Sequence, residues 1–260
     1  MPGGKKIKMH QLHPELIGKE ISVDLVGCGG NGSQMLTGLA RLHVSLRALG
    51  HDGLNVTVFD PDTVTEANLG RQLFSPGDVG QNKAAVLVHR LNCFFGLDWR
   101  YNQQMWGGRS CDLVIGCVDT VAARRLINRA RFTYWLDLGN KERTGQVVLG
   151  AKENKKRPDE TRPLTFFELF PEMQHVRRED NAPSCSLAGA LEKQDLFINQ
   201  AVTTWALQLL WSFLRRGQLT TNGCFINLET GVTRPIPLPK REPRGQPLVK
   251  VLGSKRKRKP

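Results

Sequence analysis

Six consecutive residues, Gly27-Cys28-Gly29-Gly30-Asn31-Gly32, fit G-x-G-x-x-G between an apolar run and a helical pattern. In such a turn the first glycine permits a tight bend, and the second lets backbone N–H groups approach a phosphate. The third lets the helix pack close to its strand, with the positive end of the helix facing the anion. Gly27, Gly29, Gly30 and Gly32 are therefore candidate nucleotide contacts. Further along stand Asp60, then Asn68, Arg71, Gln72 and Lys83 within "DPDTVTEANLGRQLFSPGDVGQNKAA". Asp119 follows a further apolar run, and Cys185 lies in "APSCSL".

The glycine turn serves hydride chemistry and phosphate chemistry alike, and Asp60 suits a ribose hydroxyl in either. Asp60 lies farther from the turn than the ~20 residues of the dinucleotide fingerprint. The cations after it separate the two chemistries. Backbone amides hold the two-phosphate bridge of a nicotinamide cofactor without an added arginine and lysine. A triphosphate that is to be cleaved needs them, because charge builds on the departing pyrophosphate. Asp119 adds a carboxylate suited to Mg2+. Any one of these residues has a surface-charge reading as the lesser alternative; together they point to ATP.

Positioning these residues falls to a regular alternation. Met35, Leu36, Leu39, Leu42, Leu46 and Leu49 have helical spacing, "LNVTVFD" reads as a strand ending at Asp60, and "NKAAVLVHRLNCFF" reads as a helix. "CDLVIGCVD" reads as a strand ending at Asp119, followed by a basic helix over 122–132 and the strands "YWLDLG" and "GQVVLG". This β-α-β-α-β order predicts a doubly wound parallel sheet with ligands at the carboxyl ends of its strands. Residues 151–182 are rich in charge and proline around an apolar island at Phe166 to Phe170, and read as a long, partly mobile loop of the kind that often serves as a lid. A helix over 196–215 and a hairpin in "CFINLETGVTRPIPL" close the folded part.

The chain has 260 residues, enough for one large domain with appendages. Its N-terminus is basic with no apolar stretch of the signal-peptide kind. "AVTTWALQLLWSFL" is shorter than a bilayer span and reads as a core helix, so a cytoplasmic protein without membrane contact is expected. The six cysteines form no C-x-x-C pair, which predicts no structural zinc, and Cys28, Cys111 and Cys117 read as buried, inert thiols. His10 and His13 read as a solvated pair. Of the net charge of +13, residues 240–260 carry +8, a composition expected to be disordered. Such a tail binds nucleic acid or aids solubility, and the sequence does not choose.

The runs D-x-D-x-V-x-x-x-N-L-x-R-Q, D-x-G-x-x-K-A and C-x-D, over residues 21–151, resemble the ThiF/MoeB/ubiquitin-activating-enzyme superfamily. "RTGQVV" agrees, and "PSCSLAGALEKQDLFINQ" resembles the ThiF-related family of the PRTRC plasmid cassette. The resemblance implies a Rossmann-like, mainly parallel α/β sheet extended by antiparallel strands. The implied layout is an extension over 1–20, an ATP-binding core over 21–150, a crossover loop over 151–184, a helix and hairpin over 185–239, and the basic tail. It implies adenylation of a carboxylate, most often the C-terminal glycine of a ubiquitin-like β-grasp protein, with a conjugating-enzyme-like partner and a homodimer. By the same resemblance Gly27, Gly29 and Gly32 hold the nucleotide and Asp60 its ribose. Asn68, Arg71 and Lys83 contact its phosphates, and Asp119 the Mg2+.

Two departures stand out. The paired zinc ligands of many relatives are missing, and the segment before Val23 holds lysines such as Lys19 but no arginine to insert into a partner's ATP site. Cys185 has two readings. Ser184 or Ser186 as a helix cap would put the thiol at the positive end of a helix dipole, where its pKa falls, and "PSCSL" resembles the thioester site of ubiquitin-activating enzymes. Alternatively it is a small residue packed at a helix start. Two other functions also fit: adenylation of a small-molecule or RNA-borne carboxylate, and a nucleotide-binding scaffold with a DNA-binding tail.

Overall fold

The computed structural model describes residues 8–153, 159–176, 188–189, 191 and 194–239. Strands β2 (Ile21–Val26), β3 (Leu54–Phe59) and β5 (Cys111–Gly116) are nearly continuous apolar runs, the pattern of strands buried on both faces. They pair in parallel, with β4 (Arg100–Asn102) beyond β3 and β6 (Phe132–Asn140) beyond β5. Strands β7 (Thr144–Ala151), β9 (Thr221–Asn227) and β10 (Val232–Pro237) then add in antiparallel fashion. The order is β10-β9-β7-β6-β5-β2-β3-β4, an eight-stranded sheet. The parallel sheet with an antiparallel extension is as the sequence predicts.

Helix α1 (Gly30–Ala48) follows β2, α2 (Lys83–Phe95) follows β3, and α3 (Val121–Arg129) follows β5. The strand residues anticipated at Asp60 and Asp119 lie just past the last paired residues, Phe59 and Gly116. Helix α3 is shorter than anticipated because Phe132 already belongs to β6. One face of the sheet is covered by α1 and by α5 (Ile198–Arg216), whose Ile198, Val202, Ala206 and Leu210 join Val23, Leu25, Met35 and Leu36 in one core. Gly38 makes the close approach of α1 and α5 possible, since a Cβ there would lie 2.0 Å from Leu207. No helix among the described residues is long and apolar enough to cross a membrane.

The other face corrects the expectation of an open loop after β7. Its core joins Val26, Val114 and Trp135 to Phe166 and Phe167, which belong to the short helix α4 (Phe166–Leu169). Arg162, buried, donates to both oxygens of Glu168 at 3.0 and 2.6 Å, and Glu168 also accepts from the backbone N–H of Thr165. Asn222 accepts from the Leu164 N–H at 2.7 Å and donates to the Leu164 carbonyl at 2.8 Å. Residues 159–176 are thus a bonded part of the body. Buried Arg162, paired with Glu168, is a charge that composition alone reads as solvated.

A second correction concerns His10. It is in β1 (His10–Gln11), which pairs with β8 (Gln218–Leu219), and it is buried. Its Nδ1 lies 2.7 Å from Asp159 Oδ2 and its Nε2 lies 2.9 Å from the Tyr134 hydroxyl, which accepts the His13 N–H at 3.0 Å. Neutral His10 donates to Asp159 and accepts from Tyr134. Burial lowers its pKa against the upward pull of Asp159. Of the pair read as solvated, His10 is therefore part of a buried polar network, to which partly exposed His13 adds only its backbone N–H.

Candidate active site

The carboxyl ends of β2, β3 and β5 meet at the glycine turn. The Gly27 N–H donates to the Phe59 carbonyl, and the Cys117 N–H donates to the Val26 carbonyl, each at 2.9 Å. Gly27 has φ +93°, and a Cβ on it would lie 2.6 Å from the Cys117 carbonyl oxygen. A Cβ on Gly32 would lie 1.9 Å from the Gly27 carbonyl oxygen. Both glycines answer to the packing of the turn itself. Gly30 faces Asn199 of α5, where a Cβ would come within 2.5 Å of the amide. Gly29 faces open space and is the N-cap of α1 with no side-chain cap. Here the first-turn N–H groups remain available to an anion.

Asp60 is buried and bonded to that turn. Its Oδ2 accepts the Cys28 N–H at 2.5 Å and its Oδ1 the Asp62 N–H at 2.8 Å. Burial raises its pKa, against those two bonds and nearby Lys83. Lys83 opens α2 and is buried, with Nζ 3.1 Å from Asp62 Oδ2. Asn82, the N-cap of α2, donates to the carbonyls of Asp60 at 2.9 Å and Asp62 at 3.0 Å. The D-x-D run and the start of α2 therefore form one bonded unit beside the glycine turn.

Arg71 is half-buried, and burial lowers its pKa against the pull of Asp119. It donates to the side-chain carbonyl of Gln194. Gln72 is buried, and among the described residues its Oε1 has no hydrogen-bond partner. Asn68 does something more local: its Oδ1 accepts the Thr65 N–H at 2.9 Å, capping a short 3-10 turn. Asp119 is exposed just past β5. Cys185 and residues 240–260 lie outside the described residues. Cys28 and Cys117 are fully buried thiols with pKa pushed up by burial, and Cys111 is pushed up to about 12 by the same cause. All three read as inert.

Asp119 also borders a cleft of about 1120 Å³ that runs along β6, β7, β9 and β10. Arg124, Gln146, Phe170, Phe225 and Arg234 are among its walls. Asn31 ties the glycine turn to this cleft by donating to Asn140 at 2.8 Å. Arg124 donates to the fully buried Asp137 at 2.9 Å and lies over the Phe166 ring, so one wall is fixed from behind. Neither Asn31 nor Arg124 was anticipated. The first was hidden as a variable position of the glycine turn, the second as one arginine in a basic helix. Among the described residues no three His, Cys, Asp or Glu side chains gather as a metal cluster.

A glycine turn, two cations and an exposed carboxylate lie at the switch of a mainly parallel sheet and open on a cleft, the place where α/β proteins of this architecture hold their ligands. The chain belongs to the ThiF family, whose profile matches residues 17–245. Ubiquitin-like modifier-activating enzyme 6 of Homo sapiens is 30% identical over 178 residues, 59% of this chain and 16% of that protein. Ubiquitin-like modifier-activating enzyme 5 of Dictyostelium discoideum is 28% identical over 147 residues, 48% of this chain and 36% of that protein. The chain thus spans well under half the length of these curated relatives. Among solved structures, E. coli MccB with AMPCPP and MccA superposes with a TM-score of 0.55 at 15% identity, over 86% of this chain and 65% of that one. PaaA superposes with a TM-score of 0.52 at 12% identity, over 84% of this chain and 64% of that one. These likenesses establish the shared fold.

Proposed function

We propose that this chain uses ATP to adenylate the terminal carboxylate of a peptide or protein tail, a ubiquitin-like β-grasp protein being the favoured acceptor. The observation that carries the reading is the position of Asp119, whose charge pulls the Arg71 pKa upward and which also borders the large cleft. The phosphate-binding charges and the acceptor cleft then share one boundary, where an acyl-adenylate bond would form. A cleft of about 1120 Å³ favours a tail over a small-molecule carboxylate. A nucleotide-binding scaffold has no use for Arg71, Lys83 and Asp119 together.

In this reading the N–H groups after Gly29 cradle the phosphates and Asp60 orients the ribose. Lys83 exchanges Asp62 for phosphate oxygen, and Arg71 faces the departing pyrophosphate. A carboxylate oxygen of the tail attacks the α-phosphorus, and the bond from that phosphorus to the bridging oxygen breaks as pyrophosphate leaves. Asp119 fits Mg2+, which is commonly held by one or two carboxylates together with substrate phosphates and water. When bound, the ion supplies positive charge to the phosphates.

Transfer of the acyl group to the Cys185 thiol would release AMP and form a thioester. That step, the PRTRC affiliation, a homodimer, a conjugating-enzyme-like partner and a nucleic-acid role for residues 240–260 rest on the sequence. Pyrophosphate–ATP exchange tests the central reading. Label from pyrophosphate is expected in ATP only when a ubiquitin-like protein with a free C-terminus is added. Tight NAD binding with no ATP binding overturns it. Cys185→Ala is expected to keep exchange and lose the reductant-sensitive conjugate; transfer at the wild-type rate would remove Cys185 from the pathway.

A further inference from the structure

Arg71 and Gln194 are far apart in sequence, yet the guanidinium Nη1 of one donates to the side-chain Oε1 of the other. The same oxygen accepts from Asn199 Nδ2 at 3.2 Å. Asn199 is 2% exposed and lies against Gly30, where any Cβ would collide with its amide. A continuous line of contacts therefore runs from the glycine turn through two amides to the arginine. Among the described residues the Arg71 Nε is buried without a hydrogen-bond partner, an N–H that waits for an acceptor.

We infer that Gln194 is a positioning residue for Arg71, holding one edge of its guanidinium so that its other donors face the phosphate chain of ATP. The inference rests on the adenylation reading above. The choice of an amide has a physical reason. A carboxylate in the same place would form a charge-assisted pair with Arg71 and compete with the phosphates. A neutral carbonyl orients the planar fork without adding a second anion to the Asp119 that already pulls on Arg71, and so leaves more of its charge for the ligand. Ordering a long side chain before the ligand arrives also removes part of the entropy cost of binding. Asn199 in turn fixes the amide, which makes Gly30 a packing requirement of this line.

A double-mutant cycle on nucleotide affinity tests this, with Gln194→Leu, Arg71→Ala and the pair titrated calorimetrically with ATP and Mg2+ and, separately, with adenosine. Gln194→Leu is expected to weaken ATP roughly three- to tenfold and to leave adenosine unchanged. In the Arg71→Ala background it is expected to add no further loss. Gln194→Glu, nearly isosteric, is expected to weaken ATP more than Gln194→Leu does, because its charge occupies Arg71 and repels phosphate. Equal losses in both backgrounds, a matching loss of adenosine, or wild-type ATP affinity in Gln194→Glu overturn the inference. A wild-type protein that binds no ATP overturns the adenylation reading as well, so the two failures are distinct.

Discussion

The Asp60 carboxylate accepts the Cys28 backbone N–H at 2.5 Å, joining the end of β3 to the glycine turn after β2. Its other oxygen accepts the Asp62 N–H at 2.8 Å. Both oxygens face N–H donors, so the nearly isosteric Asp60→Asn would set an amide NH2 against one of them. A buried donor left unpaired costs about 1–3 kcal/mol. Asp60→Asn is therefore expected to lower stability by about that amount in denaturant unfolding, and to weaken ATP through the distorted turn. Unchanged stability would mean that the bond to Cys28 contributes little.

Asp119 is an exposed side chain past the end of β5, near enough to Arg71 to pull its pKa upward. Removing it opens no cavity, so Asp119→Ala is expected to stay within about 0.5 kcal/mol of wild type in stability. If Asp119 holds Mg2+ as proposed, its loss removes charge stabilisation on the order of several kcal/mol, and pyrophosphate exchange is expected to fall more than a hundredfold. Retained exchange in a folded Asp119→Ala protein would place the metal elsewhere.

The central strands β2, β3 and β5 of the parallel half were legible because they are nearly continuous apolar runs, each followed closely by a glycine or an aspartate. Gly27, Asp60 and Lys83 were legible for the same reason: a turn, a strand end and a helix start each have a local signature. Gln194 had none, because its meaning comes from Arg71, and only the sheet brings the two together. Asn68 was legible as a polar residue in a charged run, but its side chain is spent on Thr65. Strand β4 was missed because all three of its residues are exposed at the sheet edge and show no apolar pattern. His10 was misread since its burial depends on Tyr134 and Asp159, partners fixed by the tertiary fold.

The His10 network gives a pH dependence with a definite sign. Burial lowers the His10 pKa below its ordinary 6.5, although Asp159 pulls it upward and Arg162 and His13 pull it further down. A depressed folded-state pKa means that His10 contributes its full stability above pH 6.5 and loses it as pH falls through the folded value. Asp159, also held below its usual range despite burial, by bonds from Thr161 and His10, stays ionised over that interval. The thermal midpoint is therefore expected to fall as the pH drops below 6.5, and His10→Gln to flatten that fall while costing about 1 kcal/mol at pH near 8. An acid slope identical in His10→Gln and wild type would show that other groups set it.

The two glycines that frame the turn separate folding from ligand approach. A Cβ on Gly32 would sit 1.9 Å from the Gly27 carbonyl oxygen, a backbone atom in the tightest part of the turn. The neighbour cannot swing away, so Gly32→Ala is expected to displace α1 from β2 and to unfold well below the wild-type midpoint. A Cβ on Gly29 would meet nothing within 4 Å, and its φ of −72° is one that alanine adopts freely. Gly29→Ala is therefore expected to stay within about 1 kcal/mol of wild type, the ordinary cost of losing glycine from an N-cap. If the phosphates come to the N–H groups of that turn, the new methyl stands in their path, and ATP affinity is expected to fall at least tenfold while the fold persists. Calorimetric titration of folded Gly29→Ala with ATP and Mg2+ checks this. Wild-type affinity there would mean that phosphate is held by Arg71 and Lys83 without the turn, and that the open space at Gly29 serves no ligand.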